Sequence, residues 1–220
     1  MGDDKMKHVL TVFTALSMTL FIFCIAVVAT FGCRFIYYFD IDYLNIADSL
    51  GVSRELLIEN YDTLIDYCFS LSDELLVFPD FTQSESGQIH FKETKDLFHV
   101  FLLGTPITGI LSAAGIFLLR KEKPRTYLKY TATLSIFLPL VAGTLIAINF
   151  KKAFEFFHKI VFQNDYWLFD PLTDPVILAL PKAFFMHCGI FIIAIVLLLS
   201  GLSYISYRIS SKGSNTDTSN

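Results

Sequence analysis

The stretch VLTVFTALSMTLFIFCIAVVATF, Val9 to Phe31, contains no charged residue from end to end. A hydrocarbon layer of about 30 Å is crossed by about 20 residues in a helix, and only a helix pairs every backbone N–H and C=O within one such segment. Three more apolar stretches follow, Leu97–Leu119, Tyr127–Ile148, which carries the one charged residue Lys129, and Ala183–Ile205. The fold class expected is therefore mainly α: a four-helix transmembrane bundle with a small extracytoplasmic domain and an interfacial helix and loop. The boundaries read as spans at 9–31, 97–119, 127–148 and 183–205. Between them lie outer segments 32–96 and 149–182, a cytoplasmic loop 120–126 and a cytoplasmic tail 206–220.

Composition agrees. Of 220 residues 54% are hydrophobic and 23 are phenylalanine, with a mean hydropathy of +0.55, more than a soluble domain of this size carries. The net charge of −4 hides an asymmetry. Arg120, Lys121, Lys123 and Arg125 crowd the second connection, Lys5 and Lys7 precede the first span, and Arg208 and Lys212 follow the last. Under the positive-inside rule these segments are cytoplasmic, which puts 32–96 and 149–182 outside. Thr30, Phe31, Gly32 and Cys33 faintly resemble a lipoprotein cleavage box, but the apolar run exceeds a signal core of about 7 to 15 residues and is retained as a span. The four cysteines form no disulfide framework, a Cys33–Cys68 bridge being the one pairing left open. The polar tail Ser210–Asn220 is expected to be disordered.

The outer segments have their own patterns. Ser53 is placed to cap a helix in which Leu56, Leu57, Tyr61, Leu64, Ile65 and Cys68 recur at helical spacing. Beyond it, Leu75–Phe78 and Gln88–Phe91 flank the turn-rich Ser84-Glu85-Ser86-Gly87, as a small hairpin or a loop. In the second segment Phe150, Phe154, Phe157 and Val161 share one helical face and Lys151, Lys152, Glu155 and Lys159 the other, the pattern of a helix lying at a lipid surface.

Four of five histidines, His90, His99, His158 and His187, fall in the outer segments or near the outer ends of spans. An interfacial histidine more often packs than catalyses, and His99 and His187 are read that way. No Gly-x-Ser-x-Gly elbow, His-Glu-x-x-His pair or phosphate-cradling glycine loop is present. Asp165, Asp170 and Asp174 could hold a divalent ion, but the prolines among them favour a solvated loop, and neither a metal nor a cofactor is expected. Nothing resembles a nucleic-acid surface. The spans carry too few ionisable residues for a transport path.

Tyr37-Tyr38 through Tyr43, then Gly51-Val52-Ser53-Arg54-Glu55-Leu56 and Asn60-Tyr61-Asp62-x-x-Ile65-x-Tyr67, resemble the bacterial lipoprotein intramolecular transacylase family. So do Phe157-His158-x-x-x-Phe162-x-Asn164-x-x-Trp167-x-x-Asp170-Pro171-x-x-Asp174 and Pro181-x-x-Phe184-Phe185. The resemblance implies a multi-pass enzyme of a Gram-positive cell membrane with an extracytoplasmic site and diacylated bacterial lipoproteins and membrane lipid as partners. The enzyme would move an sn-2 acyl chain onto the α-amine of the same lipoprotein's N-terminal cysteine. His90 and His158 match the family's two essential histidines. Glu93 stands where the family carries Asp, and Asn164, Trp167, Asp170 and Asp174 are candidates for holding substrate or shaping the loop. The alternative is a non-enzymatic accessory or immunity protein whose outer domain binds a partner and for which no single histidine matters.

Overall fold

A computed structural model describes residues 2–217. Eight helices follow in order: α1 (Gly2–Gly32), α2 (Phe35–Tyr43), α3 (Ile46–Leu50), α4 (Arg54–Phe69), α5 (Glu85–Leu118), α6 (Thr126–Val161), α7 (Val176–Ala179) and α8 (Lys182–Asp217). Among the described residues no strand forms. Helices α1, α5, α6 and α8 are long and apolar enough to cross a membrane. Their apolar side chains confirm the solvent they are made for: Phe137, Ile110 and Leu140 are each at least 65% exposed, a surface that hydrocarbon accepts and water does not.

The chain divides into two compact units. One comprises residues 2–27, 101–144 and those from 192 onward. Here α5 meets α1 through glycines. A Cβ on Gly115 would lie 2.2 Å from Thr14 Oγ1, and one on Gly109 would lie 3.1 Å from Phe21. In a bilayer, where apolar burial gives no net drive to association, such close backbone approach is what holds helices together. Ala15, Leu119, Tyr127 and Leu128 form one buried cluster, and Ile22, Ala26 and Val196 another.

The second unit comprises residues 28–100 and 145–191. Ser53 caps α4 as expected, its Oγ accepting the Leu56 N–H at 3.1 Å, and Leu57, Tyr61, Leu64, Ile65 and Cys68 are buried. Tyr37 of α2 stacks on Tyr61 at 4.1 Å between ring centroids, Phe184 of α8 meets both edge-on, and the Tyr37 hydroxyl donates to the Ala179 carbonyl at 3.0 Å. Asn60 holds the following loop by donating to an Asp80 carboxylate oxygen at 2.7 Å. Arg34 pairs with Asp62 at 3.0 Å and with Asp66.

Two expectations need correcting. Gln88–Phe91 is helical rather than half of a hairpin, because α5 already starts at Glu85. Ser84 Oγ accepts the Gly87 N–H at 3.0 Å, a cap three residues along that turns a turn-like sequence into a helix start. Gly87 is needed there, since a Cβ would come 2.2 Å from Asp174 Oδ1. The tail, expected to be disordered from Ser210, continues α8 to Asp217, because extending an existing helix costs far less than nucleating one; the rest of the expected segment lies outside the described residues. All four cysteines are free.

Candidate functional site: two buried histidines

Both candidate histidines are placed by local devices. Asp174 Oδ1 accepts the Ser84 N–H at 2.8 Å, so the loop before α7 fixes the start of α5, and His90 follows one turn after Gly87. His158 belongs to the last stretch of α6, which restarts after a break at Asn149 (φ −164°, ψ 94°). Asn149 Oδ1 accepts the Lys152 N–H at 3.0 Å, capping the new segment as an N-terminal Asn does.

The two imidazoles face each other with centroids 5.8 Å apart, and both residues are under 10% exposed. Aromatic rings wall them in. His90 meets Phe162 edge-on at 4.7 Å and Phe169 at 5.4 Å, and His158 lies 4.2 Å from Phe154 and 4.9 Å from Trp167. His158 Nδ1–H donates to the Phe154 carbonyl at 2.8 Å. A carbonyl can only accept, so this bond fixes the tautomer and leaves Nε2 as a proton acceptor. His90 Nδ1 is buried without a partner.

Burial pulls the His90 imidazole down to about 4, and the neighbouring His158 pushes the same way. Burial also lowers His158, with the Phe154 carbonyl bond opposing it in part. Desolvation disfavours the cation, so both rings are held neutral near pH 7, the state in which an imidazole can accept a proton.

The remaining candidates divide. Asn164 Nδ2 donates to Glu93 Oε1 at 2.8 Å, which joins the segment 149–182 to α5 one turn beyond His90. Trp167 covers His158 and donates its indole N–H to the Asn164 carbonyl at 2.8 Å. Asp170 and Asp174 shape the loop instead. Asp170 Oδ1 accepts the Leu172 N–H at 3.0 Å, its carbonyl accepts from Asp174 N, and Asp174 takes donors from Ser84 and Thr173. Among the described residues no group of three or more His, Cys, Asp or Glu is placed to hold a metal ion.

Sequence reasoning missed Phe169, whose only local signal is its place before Asp170-Pro171, and a histidine–aspartate pair. His187 Nδ1–H donates to both oxygens of the fully buried Asp40, at 2.8 and 2.9 Å.

Four apolar spans and a pair of buried imidazoles in an aromatic box define a multi-pass helical membrane protein. The comparisons narrow that class. The lipoprotein intramolecular transacylase Lit family matches residues 12–185, and the chain belongs to it. The membrane-integral lipoprotein intramolecular transacylase Lit from Bacillus cereus matches with a TM-score of 0.93 at 36% identity, over 97% of this chain and 99% of that one. A histidine-to-arginine variant of the same Bacillus protein gives a TM-score of 0.86 at 35% identity, over 98% and 96% of the two chains. An uncharacterized protein of Aquifex aeolicus is 31% identical over 113 residues, 51% of this chain. The match spans half of that curated relative's length.

Proposed function

We propose that this chain moves the sn-2 acyl group of a diacylglyceryl lipoprotein to the α-amine of the same N-terminal cysteine, leaving an N-acyl, S-monoacylglyceryl lyso-form. The observation that carries this reading is the His90–His158 pair, 5.8 Å apart and enclosed by aromatic rings, in a member of this family. An α-amine has an ordinary pKa of about 8 and must lose a proton as it attacks the ester carbonyl. His158 Nε2 accepts that proton. His90 supplies the opposing N–H, which stabilises the tetrahedral oxyanion and protonates the departing glycerol oxygen. One C–N bond forms, one C–O bond breaks, and the proton passed from the amine to the glycerol is balanced by its return between the two rings. Amine and ester belong to one molecule, so holding them in an attacking pose supplies much of the rate, equivalent in well-oriented systems to about 10⁵ M or more.

The site faces the extracytoplasmic side in this reading, since the basic connection at 120–126 is cytoplasmic. A cysteine at the exposed Leu172 should then react with a membrane-impermeant reagent in intact cells, and one at Lys121 should not. The deciding experiment is mass spectrometry of lipoprotein N-termini from cells with and without the chain. The lyso-form should appear only with it, and its absence would remove the proposal.

A further inference from the structure

The histidine box contains a second polar group that its own side chains leave incomplete. Glu93 sits one helical turn after His90 on α5, the spacing that puts two side chains on one face. Asn164 fills Glu93 Oε1, and Asn164 is itself fixed, its Oδ1 accepting from Tyr166 N and its carbonyl from Trp167 Nε1. Glu93 Oε2 is buried with no donor, as is His90 Nδ1 with no partner. The lysines flanking Glu93 on its own helix are committed elsewhere, Lys92 to Asp96 at 2.6 Å and Lys95 to the Ser72 carbonyl at 2.6 Å. Among the described residues no lysine or arginine pairs with Glu93. A carboxylate oxygen held out of water without a donor is unfavourable, and a cation with several N–H donors answers it best.

We propose that Glu93 is the receptor for the substrate's α-ammonium. The inference rests on the transacylase reading, because the group that reading must bring to the two histidines carries three N–H donors and is mostly protonated near pH 7. Bound to Glu93 Oε2, the ammonium is held beside the imidazole pair; it first releases one proton to solvent, and the neutral amine then passes a second through His158 and His90 to the departing glycerol oxygen as it attacks. Acyl transfer then turns it into an amide, which bears no charge and one N–H. The attraction to Glu93 disappears with the reaction, so the site favours free-amine substrate over N-acylated product and rejects lipoproteins whose N-terminus is already blocked. Asn164, by holding Oε1, is a positioning residue that aims the free oxygen.

The test compares two synthetic diacylglyceryl lipopeptides, one with a free α-amine and one N-acetylated, binding to the full-length protein in detergent. The His158→Ala background prevents turnover during binding. The free-amine peptide should bind at least tenfold tighter than its acetylated counterpart. Adding Glu93→Gln should bring that ratio to about one, since Gln keeps the acceptor for Asn164 and loses the charge, while Glu93→Asp should keep a preference. In turnover assays with His158 intact, Glu93→Gln should raise KM about tenfold and change kcat much less. An undiminished ratio in Glu93→Gln, or no preference at all in the His158→Ala background, would overturn the proposal. Failure of the wild-type chain to convert the free-amine peptide would overturn the transacylase reading instead, with the binding ratio still measurable.

Discussion

Two histidine-containing pairs, His90–His158 and Asp40–His187, occur among residues 28–100 and 145–191, and they are built oppositely. His187 gives its Nδ1–H to both oxygens of a carboxylate with no solvent exposure, so its polarity is spent on joining α8 to α2. Among the described residues neither His90 nor His158 pairs with a carboxylate. One ring is tied by a backbone carbonyl and the other is left with a bare buried nitrogen, and phenylalanines fill the space that polar partners would occupy. The difference teaches how one residue type comes to do two jobs. A carboxylate partner engages the ring N–H and fastens the ring, whereas an aromatic enclosure favours neutral imidazole and leaves a nitrogen without a partner.

The widest separation between the pairs should appear in activity. His90→Ala and His158→Ala should each lower lyso-form production by at least about a hundredfold, the scale of a lost general acid or base. The double variant should be no worse than the more damaged single one, because residues acting as a unit are not additive. His187→Ala should leave the rate per folded molecule within a few-fold of wild type. Comparable losses at all three positions would erase the distinction.

Stability should reverse the ranking. His187→Ala strands a buried carboxylate and should cost about 1–3 kcal/mol, the scale for an unsatisfied buried hydrogen-bonding group. At roughly 2–4 °C per kcal/mol for a chain of this length, thermal unfolding in detergent should show a clear fall. Equal unfolding temperatures for His187→Ala and wild type would mean that the Asp40–His187 bond holds nothing together.

These contrasts also mark what could be read in the sequence. The spans were legible because apolar runs of this length with at most one charge have one stable solution in lipid, and α4 because a cap and a helical period coincide at Ser53. The α5 start was not, because Ser84-Glu85-Ser86-Gly87 has the composition of a turn, and only Asp174, distant along the chain, makes it a helix cap. His90 and His158 stood out through the family motif; nothing local set His158 apart from His187. The Asp40–His187 bond joins residues 147 positions apart, with no periodicity or spacing to announce it. Three-dimensional partners, invisible in a linear pattern, decide which histidine is fastened and which is poised.

Acid should affect the pairs unequally. Burial sets the His90 folded value at about 4 against an ordinary value of about 6.5, so the folded state refuses a proton that the unfolded chain accepts. Its stabilising contribution is complete above pH 6.5 and is lost as the pH falls toward 4. His90→Asn should therefore lose less stability than wild type between pH 6.5 and 4, with unfolding temperatures measured across that window. Parallel profiles for the two proteins would show that His90 is not held neutral.

The smallest effect expected is at His187→Asn, and it separates two accounts of the Asp40 bond. Asn places its amide nitrogen close to where an imidazole carries Nδ1, the atom that donates to Asp40. If a directed N–H is what the buried carboxylate requires, the amide satisfies it, and the cost relative to wild type should be about 1 kcal/mol or less. If the carboxylate instead requires a cation, Asn should be nearly as damaging as Ala, because truncation and neutral replacement both leave the charge unpaired. The donor account is the one expected, since the single nitrogen spans both carboxylate oxygens at hydrogen-bonding distance. An unfolding temperature for His187→Asn that falls with that of His187→Ala would give the decision to charge.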